Sequence, residues 1–127
     1  MALDTRAIVI YEGPGGTVEV RLDRESVWLT QRQMAELFDS STDNIGLHIL
    51  NIYKNQELIE HSTAEDYSVV RQEGKRRIQR KLKHYNLDVI ISVGYRVNSR
   101  RGVLFRQWAT RLLKDHLTRG YTLNQQR

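Results

Sequence analysis

The sequence predicts an α+β domain of the winged helix-turn-helix type. Three observations lead to this prediction: two strand patterns near the start of the chain, a helix-turn-helix pattern over residues 30–53, and a strongly basic hairpin pattern over residues 67–85. Two further helical patterns follow within residues 86–120. A length of 127 residues is typical of one domain, so we take residues 1–127 as a single unit.

The first elements are two short strands within residues 7–28. AIVIYE occupies residues 7–12, TVEVRL occupies residues 17–22, and a glycine-rich turn separates them. In the second segment apolar and charged residues alternate, which is typical of a strand with one buried face. The pattern predicts a small N-terminal antiparallel sheet, and residues 26–29 are interpreted as a short apolar entry into the first helix.

The helix-turn-helix pattern begins at Thr30, a favourable N-cap residue. Gln33 stands at the position that completes a capping box. The first helix is predicted over Gln31–Phe38, and Asp39, which tolerates the left-handed conformation, begins the turn. Ser41 or Thr42 then caps a second helix that extends to about Tyr53.

In the second helix Ile45, Ile49 and Ile52 recur at helical spacing and are predicted to face the core. Asparagine can pair with adenine and histidine can donate to guanine. The residues predicted to face outward and contact DNA bases are Thr42, Asn44, His48 and Asn51. One observation weighs against this role, because the helix contains Asp43 and no Lys or Arg before Lys54.

The predicted hairpin supplies the missing positive charge. Seven basic residues occur among the thirteen residues 71–83. A charged edge that resists aggregation is the alternative interpretation, but that task requires fewer charges. We therefore predict that the hairpin holds DNA phosphates through Lys75, Arg76, Arg77, Arg80, Lys81 and Lys83.

The remaining segments are a predicted loop over residues 61–66 and a C-terminal helical pair. Asn86 is a candidate N-cap for the first helix of the pair, and a basic loop is predicted over residues 98–102. Phe105 and Trp108 are expected to anchor the core of this half, and Gly120 is a candidate helix stop. Basic residues in this half that are predicted to extend the phosphate contacts are Arg96, Arg100, Arg101 and Arg106.

Charge is distributed unevenly along the chain. Residues 1–66 carry 5 basic and 12 acidic side chains, whereas residues 67–127 carry 15 basic and 3 acidic ones. The second half therefore has a net charge of +12, which favours a polyanionic partner, and nucleic acid is the usual one. The same imbalance fits a second hypothesis, a protein-interaction domain of the antirepressor or dimerisation kind, in which unlike halves of a homodimer pair without direct DNA contact.

Other classes of protein have little support in the sequence. The chain has no cysteine, no two histidines have the spacing of a zinc pair, and no nucleophile, P-loop or dinucleotide motif is present. We therefore expect no catalytic residues, no metal, no cofactor and no small-molecule ligand. No segment approaches the ~20 apolar residues that cross a bilayer, so we expect no membrane contact and a cytoplasmic location.

Two sequence blocks carry a family resemblance. The first is Val27–Gln31 running into Met34–Phe38, and the second is Tyr85–Ser99 running into Phe105–Ala109. With these blocks the chain resembles, from about Ile8 to Asn124, the N-terminal region of the RhuM family of bacterial virulence-associated proteins. The second block is more distantly similar to the N-terminal domain of phage antirepressor and baculoviral Bro proteins. The resemblance implies a DNA-binding module without consensus catalytic residues, and it implies that this chain is a fragment or a short member.

Overall fold

A computed structural model describes residues 8–125, with side chains described for residues 8–116. This part of the chain has an α+β fold with five antiparallel strands in one sheet and five helices. In chain order the elements are β1 (Ile8–Gly13), β2 (Gly16–Asp23), β3 (Ser26–Thr30), α1 (Gln31–Phe38), α2 (Thr42–Lys54), α3 (Glu60–Thr63), β4 (Ala64–Glu73), β5 (Arg76–Asn86), α4 (Leu87–Val97) and α5 (Ser99–Gln125).

The sheet has the strand order β1-β2-β3-β5-β4. Two hairpins, β1–β2 and β4–β5, are joined through β3, which pairs with both β2 and β5. The two N-terminal strands were predicted correctly. They do not form a separate small sheet, because residues 26–30 are a central strand and not a simple entry into the helix. Val27 and Leu29 on this strand are fully buried.

The predicted caps of the first helix pair are confirmed. Thr30 Oγ1 accepts a hydrogen bond from the Gln33 amide at 3.2 Å, and Gln33 Oε1 accepts one from the Thr30 amide at 2.8 Å. Asp39 ends α1 in the left-handed conformation, with φ 54° and ψ 54°. Ser41 caps α2 by accepting a hydrogen bond from the Asn44 amide. Local chemistry therefore defines both ends of α1 and the start of α2.

The predicted loop over residues 61–66 is wrong. Glu60–Thr63 form the short helix α3, and β4 already begins at Ala64. The hydroxyl groups of Thr63 and Tyr53 lie 2.9 Å apart, and this contact ties α3 to the end of α2. Polar composition suggested a loop, but Ser62 and Thr63 form short-range hydrogen bonds to the carbonyl of Ile59, and these bonds stabilise the helical turn.

The basic loop predicted over residues 98–102 is also wrong. Asn98 alone separates the two helices, and Ser99–Gly102 form the first turn of α5. Asn98 Oδ1 accepts a hydrogen bond from the Arg101 amide, while its Nδ2 donates to the carbonyl of Phe38.

The predicted stop at Gly120 is wrong as well, because α5 continues to Gln125. One glycine costs a helix only about 1 kcal/mol, which a long helix tolerates.

The core lies where the helices meet the sheet. Phe105 is fully buried, as predicted, and its ring centre lies 5.1 Å from that of Tyr11 on β1. Trp108 is half-buried, and its ring centre lies 4.9 Å from that of Tyr11.

Between residues 8 and 125 no helix is both long and apolar enough to cross a membrane.

Two glycines let α4 and α5 approach each other closely. A Cβ atom at Gly94 would lie 2.8 Å from Phe38 Cζ and 3.0 Å from the Cα atom of Gly102. A side chain at residue 94 would therefore force Phe38 or Gly102 to shift. The close contact also holds α1 against the two C-terminal helices, because Phe38 is the last residue of α1.

Candidate nucleic-acid interface

The basic hairpin projects beyond the rest of the sheet. β3 pairs with β5 only at His84, Tyr85 and Asn86, whereas β4 pairs with β5 from Arg76 to Tyr85. Residues 66–83 therefore form a two-stranded arm, in which β5 has no neighbour on its β3 side. In the described part of the sheet neither long edge of the arm has a strand neighbour, so both edges can meet a large partner.

The arm carries a dense set of exposed positive charges. All six predicted phosphate-contacting residues of the hairpin are exposed, and so is Arg71 on β4. Ile78 and Leu82 are half-buried, which agrees with the predicted alternation along β5. Among the described residues, five arm cations form no ion pair within 4 Å: Arg71, Lys75, Arg76, Arg77 and Lys81.

The other two arm cations have acidic partners. Arg80 donates two hydrogen bonds to Glu73, at 2.9 and 3.0 Å, and this contact holds the pKa of the Glu73 carboxyl group below its usual value. Lys83 Nζ lies 2.7 Å from a carboxylate oxygen of Glu60, which raises the pKa of the lysine. These two cations must exchange an internal partner for a phosphate, so they contribute less to binding a polyanion than the five others.

A cleft lies between the arm and the first turns of the helix pair. It has a volume of 290 Å³, and its lining includes Arg32 of α1, Arg71 of β4, Lys83 of β5 and Thr42 of α2. Three cations therefore surround one cleft. The sequence prediction did not include Arg32 or Arg71 among the site residues. Arg32 comes near the arm only because β3 pairs with β5, and the sequence pattern did not indicate this pairing.

The four predicted base-contacting residues differ in their exposure and in their hydrogen bonds. Thr42 is exposed at the start of α2 and lines the cleft, and its carbonyl accepts a hydrogen bond from Gln31 Nε2. Asn44 is half-buried, and its Nδ2 donates to Ser40 Oγ at 2.9 Å. His48 and Asn51 are half-buried on the same side of the helix as Asn44.

The most exposed side of α2 is instead formed by four other residues. With 100° of rotation per residue, Asp43, Leu47, Leu50 and Lys54 lie within about 60° of arc, opposite the buried isoleucines. Leu47 is 55% exposed and Leu50 is 60% exposed. We call these four residues the outer stripe of α2. Asn44, His48 and Asn51 lie beside it, on one shoulder of the helix.

The arginines of the C-terminal helices do not join the arm. Arg96 forms an ion pair with Glu57, which follows α2. Arg101 is half-buried, and its Nη1 donates to the carbonyl of Leu37 at 3.3 Å. Arg106 is half-buried with its Nε enclosed, and among the described residues this atom has no hydrogen-bond partner. Of the four arginines predicted here, Arg100 alone is exposed without an ion pair in the described part of the chain.

An aromatic cluster anchors the base of the arm on the face opposite the helices. The Tyr67 ring contacts Trp28 and His84, with centres 5.6 and 5.2 Å apart, and Arg21 lies over the same ring at 4.7 Å. The Tyr67 hydroxyl donates to Asp23 at 2.6 Å. Burial, followed by this hydrogen bond, raises the pKa of Tyr67. The cluster ties β2, β3, β4 and β5 together where the arm leaves the sheet.

The chain also matches the model of a known protein family. A family model described as the virulence protein RhuM family matches residues 62–127, about half of the chain. The matched region contains β4, β5, α4 and α5, and with them the second sequence block, whereas the first block lies outside it. Comparison with curated proteins and comparison with solved structures give no match.

Proposed function

The chain belongs to the virulence protein RhuM family, and on that premise we propose that it is a DNA-binding module. The observation that carries the proposal is the arm, with seven exposed basic side chains on two projecting strands and the turn between them. Double-stranded DNA carries about one negative charge per 1.7 Å of helix axis, and a rigid cationic strand pair can follow one backbone. In this proposal the arm supplies most of the affinity and little sequence preference.

The order of elements supports the same proposal. β3, α1, α2, the short helix α3, β4 and β5 follow one another in the chain, and the sheet order in this region is β3-β5-β4. A winged helix has this arrangement: a strand, two helices and a hairpin whose last strand returns to pair with the first. In such proteins the second helix and the hairpin face the same nucleic acid. The cleft between Arg32, Arg71 and Lys83 lies where a phosphate would pass between them.

Base contacts are the second part of the proposal. Asn44, His48 and Asn51 share a shoulder of α2, and their amide and imidazole groups can reach base edges if that shoulder enters a groove. Thr42, next to the cleft, is assigned to the phosphate side of the same contact. Replacement of Asn51 by Ala should change sequence preference and leave binding to random DNA unchanged.

The contribution of the C-terminal helices is restricted to Arg100. Arg96 and Arg101 already bind acceptors within the protein, and Arg106 is partly enclosed. Losing these internal contacts would offset much of the gain from a phosphate. We therefore propose that replacement of Arg96 by Gln has a smaller effect on DNA affinity than replacement of any one unpaired arm cation.

The experiment is a fluorescence-anisotropy titration of a labelled random duplex between about 50 and 200 mM salt, where several phosphate contacts change affinity by orders of magnitude. Micromolar binding with a steep salt slope supports the proposal. Absence of binding at the lowest salt concentration contradicts it and assigns the basic arm to another polyanion or to a protein.

A further inference from the structure

The outer stripe of α2 has a composition that does not suit DNA. Asp43 would repel phosphates, and Leu47 and Leu50 offer no donor or acceptor to a base. Both leucines are nevertheless more than half exposed, although most large apolar side chains of the described chain are buried. An exposed apolar pair at the centre of a helix is typical of a protein contact.

The stripe is symmetric about the middle of the helix. Leu47 and Leu50 lie at equal distances from the midpoint between His48 and Ile49, and so do Asp43 and Lys54. The two apolar residues are thus equivalent in position, and the two outer residues carry opposite charges. Within the described residues neither Asp43 nor Lys54 forms an ion pair.

We propose that the outer stripe of α2 is a self-association surface, on which α2 of a second copy packs antiparallel about a two-fold axis. A two-fold contact requires that residue i touches residue j while j touches i. Antiparallel pairing meets this condition, because it places Leu47 against Leu50 of the other copy and Asp43 level with Lys54. Two leucine contacts and two ion pairs are then formed by one symmetric arrangement.

The geometry favours a shallow crossing of the two helices. Asp43 and Lys54 each lie about 8 Å along the helix axis from the midpoint, at 1.5 Å per residue. At a crossing angle of about 20° the ends of the two helices separate by only about 3 Å, which a lysine side chain spans. Steeper crossings would break the ion pairs, so the charges select one arrangement.

The dimer is expected to be weak. One helix from each copy buries much less than the roughly 1,600 Å² of a typical stable interface, so the expected Kd is on the order of 10 to 100 µM. The contact covers the outer stripe, and the shoulder with Asn44, His48 and Asn51 lies about a quarter of a turn away on the same helix. A second helix packed on the stripe would therefore restrict the access of DNA to the shoulder, whereas phosphate contacts by the arm do not depend on self-association.

Sedimentation equilibrium of the full chain tests the proposal over about 5 to 500 µM, a range that brackets the Kd of small interfaces. The wild-type mass should rise from 14.9 kDa towards twice that value. Replacement of both Leu47 and Leu50 by Gln should weaken association at least about 10-fold. Leu104→Gln is the matched control, because Leu104 is also an exposed leucine on a helix, and it should leave Kd unchanged.

A charge exchange tests the antiparallel arrangement itself. Asp43→Lys and Lys54→Asp should each weaken the dimer about 5- to 10-fold, since each change turns two attractions into two repulsions. The double variant restores both pairs and should return to within about threefold of wild type. Far-UV circular dichroism checks that α2 still forms. A wild type that stays monomeric at every concentration, a leucine variant that still dimerises, or a double variant that is no stronger than the singles would each overturn the proposal.

Discussion

The removal of two arm cations should change the salt dependence of DNA binding by a calculable amount. Arg77 and Lys81 are exposed on the same face of β5, and in the described part of the chain neither has an ion-pair partner. Each should neutralise one phosphate. Replacement of both by Gln therefore removes about two counterions from the binding reaction and lowers the slope of log K against log salt by about 1.8.

This change of slope is large enough to measure. Between 50 and 200 mM salt the wild type should lose about 12-fold more affinity than the double variant, because a fourfold change in salt is raised to a power of about 1.8. Anisotropy titrations of a random duplex at four or more salt concentrations give the slope directly. The binding should weaken equally for all sequences, since phosphates carry no sequence information.

The control removes the same net charge from exposed sites outside the arm. Arg24 lies between β2 and β3, and Arg111 lies on the surface of α5. Replacement of both by Gln should leave the slope within error of the wild type. The reasoning is refuted if the arm variant and this control reduce the slope equally, because binding would then depend on net charge and not on the arm.

Three further results follow from single contacts. Glu73→Gln releases Arg80 from its internal partner and should steepen the salt slope by up to about 0.9; an unchanged slope in the same titration would show that Arg80 does not reach a phosphate. Burial lowers the pKa of His84, so the unfolded chain takes up the proton first, and stability should be full above about pH 6.5 and fall below it. Melting temperatures between pH 5 and 8 test this, and His84→Gln should show a smaller fall. Gly94→Ala forces a Cβ atom against Phe38 and should cost about 1–3 kcal/mol in urea unfolding; a cost near zero would mean that the helices can separate freely.

Local chemistry made both ends of α1 and the start of α2 predictable from the sequence. The capping box at Thr30 and the left-handed residue at Asp39 involve only near neighbours in the chain, and the structure has both. Strand β3 was missed because five residues without alternation give no clear period. Its identity depends on pairing between Trp28 and Asn86, and no local pattern encodes a contact across 58 residues.

The candidate site also divides into features that follow from local sequence pattern and features that depend on tertiary packing. The half-buried Ile78 and Leu82 and the exposed Arg77 and Lys81 follow from alternation along β5, which the sequence contains. The internal partners of Arg96 and Arg101 depend on how helices pack, so the sequence could not separate these arginines from the arm cations. The exposure of Leu47 and Leu50 could be predicted from the helical spacing, since both lie opposite the isoleucines of α2. Base contacts were instead predicted for the polar residues on the shoulder, because their side chains can form hydrogen bonds with bases.

The joining of two hairpins through β3 also has a consequence for folding kinetics. β1–β2 and β4–β5 each pair residues that are close in sequence, so each hairpin can form within microseconds. Pairing of β3 with β5 closes a much longer loop and must occur later. Trp28 becomes buried at that step, where it meets Tyr67 of the other hairpin. Its fluorescence should therefore report the slowest phase of folding, after the backbone signal of both hairpins has already appeared.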